Sequence, residues 1–223
     1  MSKFKGLIVF DCDSTVIRQE AIDELGRLVG KEKEIAKITE EAMHGKLDFN
    51  EALRARVREF KGLPLERVRS VAHGLEFREN YLHTMNELKK RGFTLALITG
   101  GFSQVLDELA KLGMLKPFDF VFANDLAHEN GIATGDVRIN VGSGDKERIL
   151  LRLQKELGIG KDATVAVGDG ANDVPMFHHA RVGIAFNGKP LVRKAATHSV
   201  EGDDFSKILK IVDEEFGNPA RQG

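Results

Sequence analysis

The chain begins its regular pattern with an unbroken apolar run, Gly6-Leu7-Ile8-Val9-Phe10. A short aliphatic stretch without alternation reads as a strand buried on both faces, the habit of parallel sheets. Between positions 16 and 75 no convincing strand follows. Apolar residues there recur at helical spacing over 17–29, 31–44, 49–60 and 65–72, with Gly30, Gly45 and the Gly62-Leu63-Pro64 turn as breaks. From Tyr81 onward helical and strand patterns alternate. The spacing predicts helices over 82–91, 103–112, 146–157 and 204–216, and strands over 93–98, 119–123, 164–167 and 182–186. Asn130-Gly131, set between short segments from Leu126 to Val137, predicts a two-residue hairpin.

Strands separated by helical stretches imply βαβ crossovers. The expected fold is therefore α/β, a Rossmann-like parallel sheet core flanked by helices, with a helical segment inserted after the first strand. Residues 1–15 and 76–223 would form the core domain and 16–75 the insertion. A length of 223 residues can bury such a core with a small second domain. A net charge of −1 with 30% charged residues describes an ordinary soluble surface and speaks against nucleic-acid or membrane partners. The single cysteine, Cys12, excludes an internal disulfide and suits a reducing compartment. No apolar run approaches a membrane span and no signal pattern opens the sequence, so a cytoplasmic location is expected. Oligomeric state, monomer or homodimer, stays open.

Chemistry enters at the strand ends. The first strand runs into Asp11-Cys12-Asp13-Ser14-Thr15, and ligands of open α/β sheets bind beyond the carboxyl ends of the strands. Two carboxylates projecting together there repel unless a cation lies between them, which predicts a metal; a solvated turn is the plainer alternative for Asp-x-Asp alone. The strand over 93–98 leads into Thr99-Gly100-Gly101 and a helix start, where bare N–H groups and a hydroxyl can meet an anion. Lys146 stands three, four, seven and eleven positions before Ile149, Leu150, Leu153 and Leu157, so it faces the sheet from the first helical turn. A cation there opposes the helix dipole, and a phosphate at the strand ends would account for it, although a lysine stem can also simply lie along apolar surface. Gly168-Asp169-Gly170-Ala171-Asn172-Asp173 brings further carboxylates to another strand end. Asp169 is a candidate metal ligand there, and Asp173 a group that orients a water or Lys146.

Within the helical insertion, Arg56 lies between Leu53 and Phe60 along the apolar stripe, whereas Arg54 and Arg58 point away. An inward guanidinium needs an anion, either a carboxylate of the insertion itself or a ligand. Glu20 reads from pattern as an acid favouring a helix start. Met43 and Phe49 serve equally as insertion core or pocket lining. His178-His179 lacks metal-ligand spacing and reads as a polar helix surface.

These residues in this order, Asp-x-Asp-x-Thr, a strand-end Thr, a Lys and Gly-Asp-Gly-x-x-Asp, resemble the haloacid dehalogenase-type phosphatases over nearly the whole chain. Within that superfamily the segments Glu41-Ala42-Met43-x-Gly45-Lys46-Leu47-x-Phe49 and Leu53-Arg54-x-Arg56-Val57, with Glu20 and Thr99-Gly100-Gly101-Phe102, resemble the phosphoserine phosphatases. The resemblance implies a small-molecule phosphomonoester substrate, hydrolysed through an aspartyl-phosphate on Asp11 with Asp13 as acid and base. It implies Mg²⁺ held by Asp11, the Asp13 backbone carbonyl and Asp169. Phosphoryl oxygens would be cradled by Thr99, Gly100, Gly101 and Lys146, with Asn172 on the substrate side and Asp173 behind. It further implies that the insertion, residues 16–75, is a small helical cap domain, with Arg56 for a substrate carboxylate, Glu20 for its ammonium, and Met43 and Phe49 as lining. The activity expected is the last step of serine biosynthesis; the same intermediate would also serve a phosphotransferase acting on homoserine or another small alcohol. Cys12 stands where that family usually has Phe or Met, and Thr99 where Ser is more frequent.

Overall fold

The computed structural model describes residues 6–43 and 46–217. Seven strands, β1 (Gly6–Phe10), β2 (Phe93–Phe102), β3 (Phe120–Glu129), β4 (Ile132–Arg138), β5 (Thr164–Gly168), β6 (Val182–Phe186) and β7 (His198–Val200), form one sheet. Their order is β4-β3-β2-β1-β5-β6-β7. Every pairing is parallel except the β3–β4 hairpin. Asn130 and Gly131 turn that hairpin at φ +49° and +79°, the left-handed pair that a two-residue connection needs.

The apolar run of β1 lies at the sheet centre, and its alternate side chains feed two cores. Ile8 and Phe10 pack on one face with Leu95, Leu97, Val165 and Val167. Leu7 and Val9 pack on the other with Ala96, Ile98 and Ala166. Helices α5 (Tyr81–Lys90), α6 (Ser103–Lys111) and α10 (Lys207–Phe216) cover the first face. The second is covered by α7 (Asp145–Leu157), α8 (Val174–His178) and α9 (Pro190–Ala195).

Between β1 and α5 the chain forms α1 (Ala21–Val29), α2 (Glu32–Met43), α3 (Phe49–Arg58) and α4 (Leu65–Ser70). Asp48 and Glu51 start α3 with a reciprocal capping box, which accounts for its sharp onset. The first of these helices begins at Ala21 rather than at position 17. Residues 12–17 instead make a tight turn in which the amides of Thr15, Val16 and Ile17 converge on the Cys12 carbonyl. Ile17 then pairs with Phe77, so the chains entering and leaving the helices are bonded to each other. Residues 62–65 leave the helices to bond β4: Gly62 N donates to Ala133 O at 2.9 Å and Leu65 N to Gly131 O at 2.8 Å, while Ala133 N donates to Leu63 O at 2.9 Å.

Other boundaries move for local reasons. Strand β2 continues past Ile98 to Phe102 through a register shift against β3, and β3 runs on past Ala123 into the hairpin. The last helix starts at Lys207 because Asp204 is taken up in a turn, accepting from Ser206 N at 3.0 Å and Asn80 Nδ2 at 2.9 Å. Beside the buried Cys12, Leu75 and Phe102 help bound a void of about 10 Å³.

Candidate active site

Because β2, β1 and β5 are neighbours, their carboxyl ends bring Thr99, Asp11 and Asp169 to one edge. Helix α7 buries Ile149, Leu150 and Leu153 against the sheet, and the same face carries Lys146, itself buried. Its ammonium lies 2.6 Å from Asp11 Oδ1 and 2.7 Å from Asp173 Oδ1. Asp11 Oδ1 also accepts from Cys12 N at 2.8 Å, and Asp173 Oδ2 from Gly170 N at 3.0 Å. Gly168 makes the room: a Cβ there would stand 2.3 Å from the Asp173 carboxyl carbon.

Asp13 is held from two sides, Oδ1 accepting from Ala21 N at 2.9 Å and Oδ2 from Thr99 Oγ1 at 3.1 Å. The Thr99 hydroxyl in turn accepts from Gly101 N at 2.9 Å, so it lies against Asp13, buried behind the cavity wall rather than in it. Thr15 Oγ1 donates to Asp169 Oδ1 at 3.3 Å.

The electrostatics show an excess of negative charge. Burial raises the Asp11 carboxyl well above the usual range, Asp173 adds to it, and Lys146 only partly offsets both. Burial also raises Asp13, against the Ala21 amide and the Thr99 hydroxyl, which favour its ionised form. Asp169 is pushed up to about 6 by burial and by Asp173. For Lys146, burial alone would lower the ammonium, but Asp11 and Asp173 outweigh it and hold its pKa above the ordinary lysine value. One carboxylate oxygen from each of Asp11, Asp169 and Asp173 lies within 4.8 Å of the others. Such a set of hard oxygen donors, more acidic than one lysine can neutralise, fits a divalent cation. The Asp13 side chain is outside this set, and Asp173 joins it.

A cavity of about 570 Å³ opens onto this edge. Asp11, Asp13, Gly100, Gly101, Lys146 and Asn172 face it from the sheet. Glu20, Phe49, Leu53 and Arg56 face it from the helices. The Phe49 ring lies over Gly100, where a Cβ would come within 3.2 Å of its Cζ. Arg56 donates from Nε to Ala52 O at 3.3 Å and, among the described residues, makes no direct ion pair. Burial lowers its pKa, while Asp23, Glu20 and Asp13 work in the other direction. Glu20, open to the cavity, is pushed up to about 7 by desolvation there and by Asp13. The side chain of Met43 lies outside the described residues. Asp23 and Lys189 also face the cavity and Ser14 Oγ donates to Glu20 Oε1 at 2.7 Å, three residues that the sequence reading passed over. Only Asp23 carried a signal, one helical turn beyond Glu20.

The arrangement sets a carboxylate, Asp11, beside a buried ammonium, with a second carboxyl of raised pKa and an acidic cluster suited to a cation next to them. A family model described as haloacid dehalogenase-like hydrolase matches residues 6–181. This chain is a haloacid dehalogenase-like hydrolase. The hydrolase is 43% identical over 214 residues to the phosphoserine phosphatase of Methanocaldococcus jannaschii, covering 95% of this chain and 100% of that one. It is 41% identical to the phosphoserine phosphatase of Streptococcus thermophilus, covering 96% and 99%. Among solved structures it resembles a phospho-aspartyl intermediate analogue of a phosphoserine phosphatase, with a TM-score of 0.84 at 43% identity over 94% of this chain and 99% of the other. A substrate-bound phosphoserine phosphatase complex gives a TM-score of 0.85 at 42% identity over 94% and 99%.

Proposed function

We propose that this hydrolase converts O-phospho-L-serine to L-serine and phosphate, the last step of serine biosynthesis. The observation that carries the reading is the pairing, across one cavity, of Asp11 beside Lys146 with Arg56, whose guanidinium makes no direct ion pair among the described residues, and with a carboxylate, Glu20. Arg56 and Glu20 are opposite in charge to the carboxylate and ammonium of an amino acid, and the relatives named for that activity match nearly the whole chain.

In this reading Asp11 attacks phosphorus and forms an aspartyl-phosphate while the seryl oxygen leaves with a proton from Asp13, whose raised pKa suits a general acid. Asp13 then takes a proton from the water that cleaves the intermediate. The Gly100 N–H and Lys146 hold the phosphoryl oxygens, a clamp on charge that develops in transfer, while Thr99, bonded to Asp13 and to Gly101 N, positions the acid rather than, as the resemblance implied, the phosphoryl group. Asn172 meets the substrate, Phe49 lines its pocket, and Asp173 fixes Lys146. Asp11, Asp169 and the Asp13 carbonyl would hold Mg²⁺, which neutralises phosphoryl charge when bound. Residues 16–75 act as a cap over a core of 1–15 and 76–223, in a cytoplasmic enzyme with a small phosphomonoester as its partner.

The test is phosphate release from L-phosphoserine with Mg²⁺ and with a chelator. Fast, multiple, chelator-sensitive turnover is expected; release from an aryl phosphate but not from phosphoserine would sink the substrate. Protons compete for Asp169 below about pH 6, so half-saturation should need more Mg²⁺ at acidic than at neutral pH.

Arg56→Ala should cost phosphoserine about 1.5–3 kcal/mol of transition-state binding for each charged hydrogen bond lost. Hydrolysis of an aryl phosphate that lacks a carboxylate should hardly change. Equal losses on both substrates would return Arg56 to a structural role.

A further inference from the structure

Arg78 stands where the chain re-enters the sheet from the helices, and nothing assigned above accounts for it. Its largely buried guanidinium donates from Nη2 to Ser14 O at 2.6 Å, from Nε to Thr15 O at 3.3 Å, and from Nη1 to Asp203 Oδ1 at 3.2 Å. It also lies over the Phe186 ring, 5.5 Å from the centroid. Asp203 is itself braced, accepting from Arg18 Nε at 2.9 Å and from Glu79 N at 3.3 Å.

The two carbonyls that Arg78 holds belong to the turn that carries the chemistry. Asp13 precedes it. Ser14 sits in it at φ +56°, a conformation that residues other than glycine keep only where their surroundings impose it. The Ser14 hydroxyl bonds Glu20 and the Thr15 hydroxyl bonds Asp169. One planar fork thus ties down the backbone shared by three groups of the site, a geometry lysine cannot reproduce. A guanidinium serving only as a surface ion pair would have no reason to turn two of its donors onto main-chain oxygens.

We propose that Arg78, braced by Asp203, is a positioning residue for the reaction: by holding the Ser14 and Thr15 carbonyls it sets where Asp13, Glu20 and Asp169 stand. The proposal rests on the roles given above to Asp13 and Glu20. Arg18 supplies the control, because it pairs with the same Asp203 and with Glu76 yet touches no carbonyl of the turn.

The experiment compares kcat and KM of Arg78→Ala, Arg18→Ala and the parent on L-phosphoserine and on an aryl phosphate, at saturating Mg²⁺. Displacement of Asp13, the base for the water that cleaves the intermediate formed from either substrate, predicts that Arg78→Ala loses roughly ten- to a hundredfold in kcat on the aryl phosphate. KM for phosphoserine should rise as well, and Arg18→Ala should keep both values. A folded Arg78→Ala protein with native kcat on the aryl phosphate overturns the proposal, even if KM for phosphoserine changes, since Arg78 would then act on the helices alone. Should Arg78→Ala fail to fold, Arg78→Lys decides, and native kcat with lysine is equally fatal. A parent active on the aryl phosphate but not on phosphoserine would sink the substrate reading and leave the aryl-phosphate comparison intact.

Discussion

An Asp11→Asn protein will fold as the parent does and lose at least ~10³-fold in turnover, as enzymes do when a nucleophile is removed. The amide keeps the shape of the carboxylate but not its nucleophilic electron density. Folding should survive because the exchange removes a charge that the structure already penalises. Burial raises the Asp11 carboxyl, and Asp173 adds repulsion. Lys146 retains Asp173 at 2.7 Å when Asp11 is neutral. Thermal unfolding of metal-free protein should therefore show a midpoint no lower than the parent's. Near-native turnover of the folded Asn variant would end the assignment of Asp11 as nucleophile.

Lys146→Met should damage both activity and stability, and the two losses should part with pH. Loss of one electrostatic donor to the transition state costs about 10²–10³ in kcat. Loss of one partner from a buried ion pair costs about 3–5 kcal/mol of stability. Without the ammonium, Asp11 stays buried beside Asp173 with nothing to offset their repulsion, so its pKa rises further above the unfolded value. A carboxyl raised on folding makes the native state the better proton binder, so stability falls as pH rises from the unfolded pKa through the folded one. The deficit of the Met variant against the parent in urea should thus be largest at neutral pH and shrink on acidification. A deficit independent of pH would show that Lys146 matters for packing and not for charge.

What the sequence disclosed, and what it withheld, follows from range. The buried run of β1 and the Asn130-Gly131 turn are local and appear as expected. Lys146 was legible because its helix advertises a face, and one face fixes where a side chain must point. Helices α8 and α9 and strand β7 are five, six and three residues long, too short for any period to register. Asp173 shows the limit more sharply. Its motif marks it, but its grip on Lys146 depends on α7, 27 positions away, and its place in the acidic cluster depends on Asp11 at the end of β1. The Arg78–Asp203 contact spans 125 positions, and neither residue lies in a pattern that names the other. Arg56 is intermediate: its stripe gave its direction, whereas the absence of a direct ion pair among the described residues needed the neighbours in place.

The bonding of residues 62–65 along β4 has a consequence unrelated to chemistry. β4 ends the sheet, and an end strand offers a row of unsatisfied amides and carbonyls on which a second copy can grow. Three backbone bonds to Gly131 and Ala133 occupy the start of that row, and the opposite border, β7, is only three residues long. The helical segment that lines the cavity thereby also acts as a selvedge at the start of β4, where the sheet would otherwise be open to knitting itself to its neighbours.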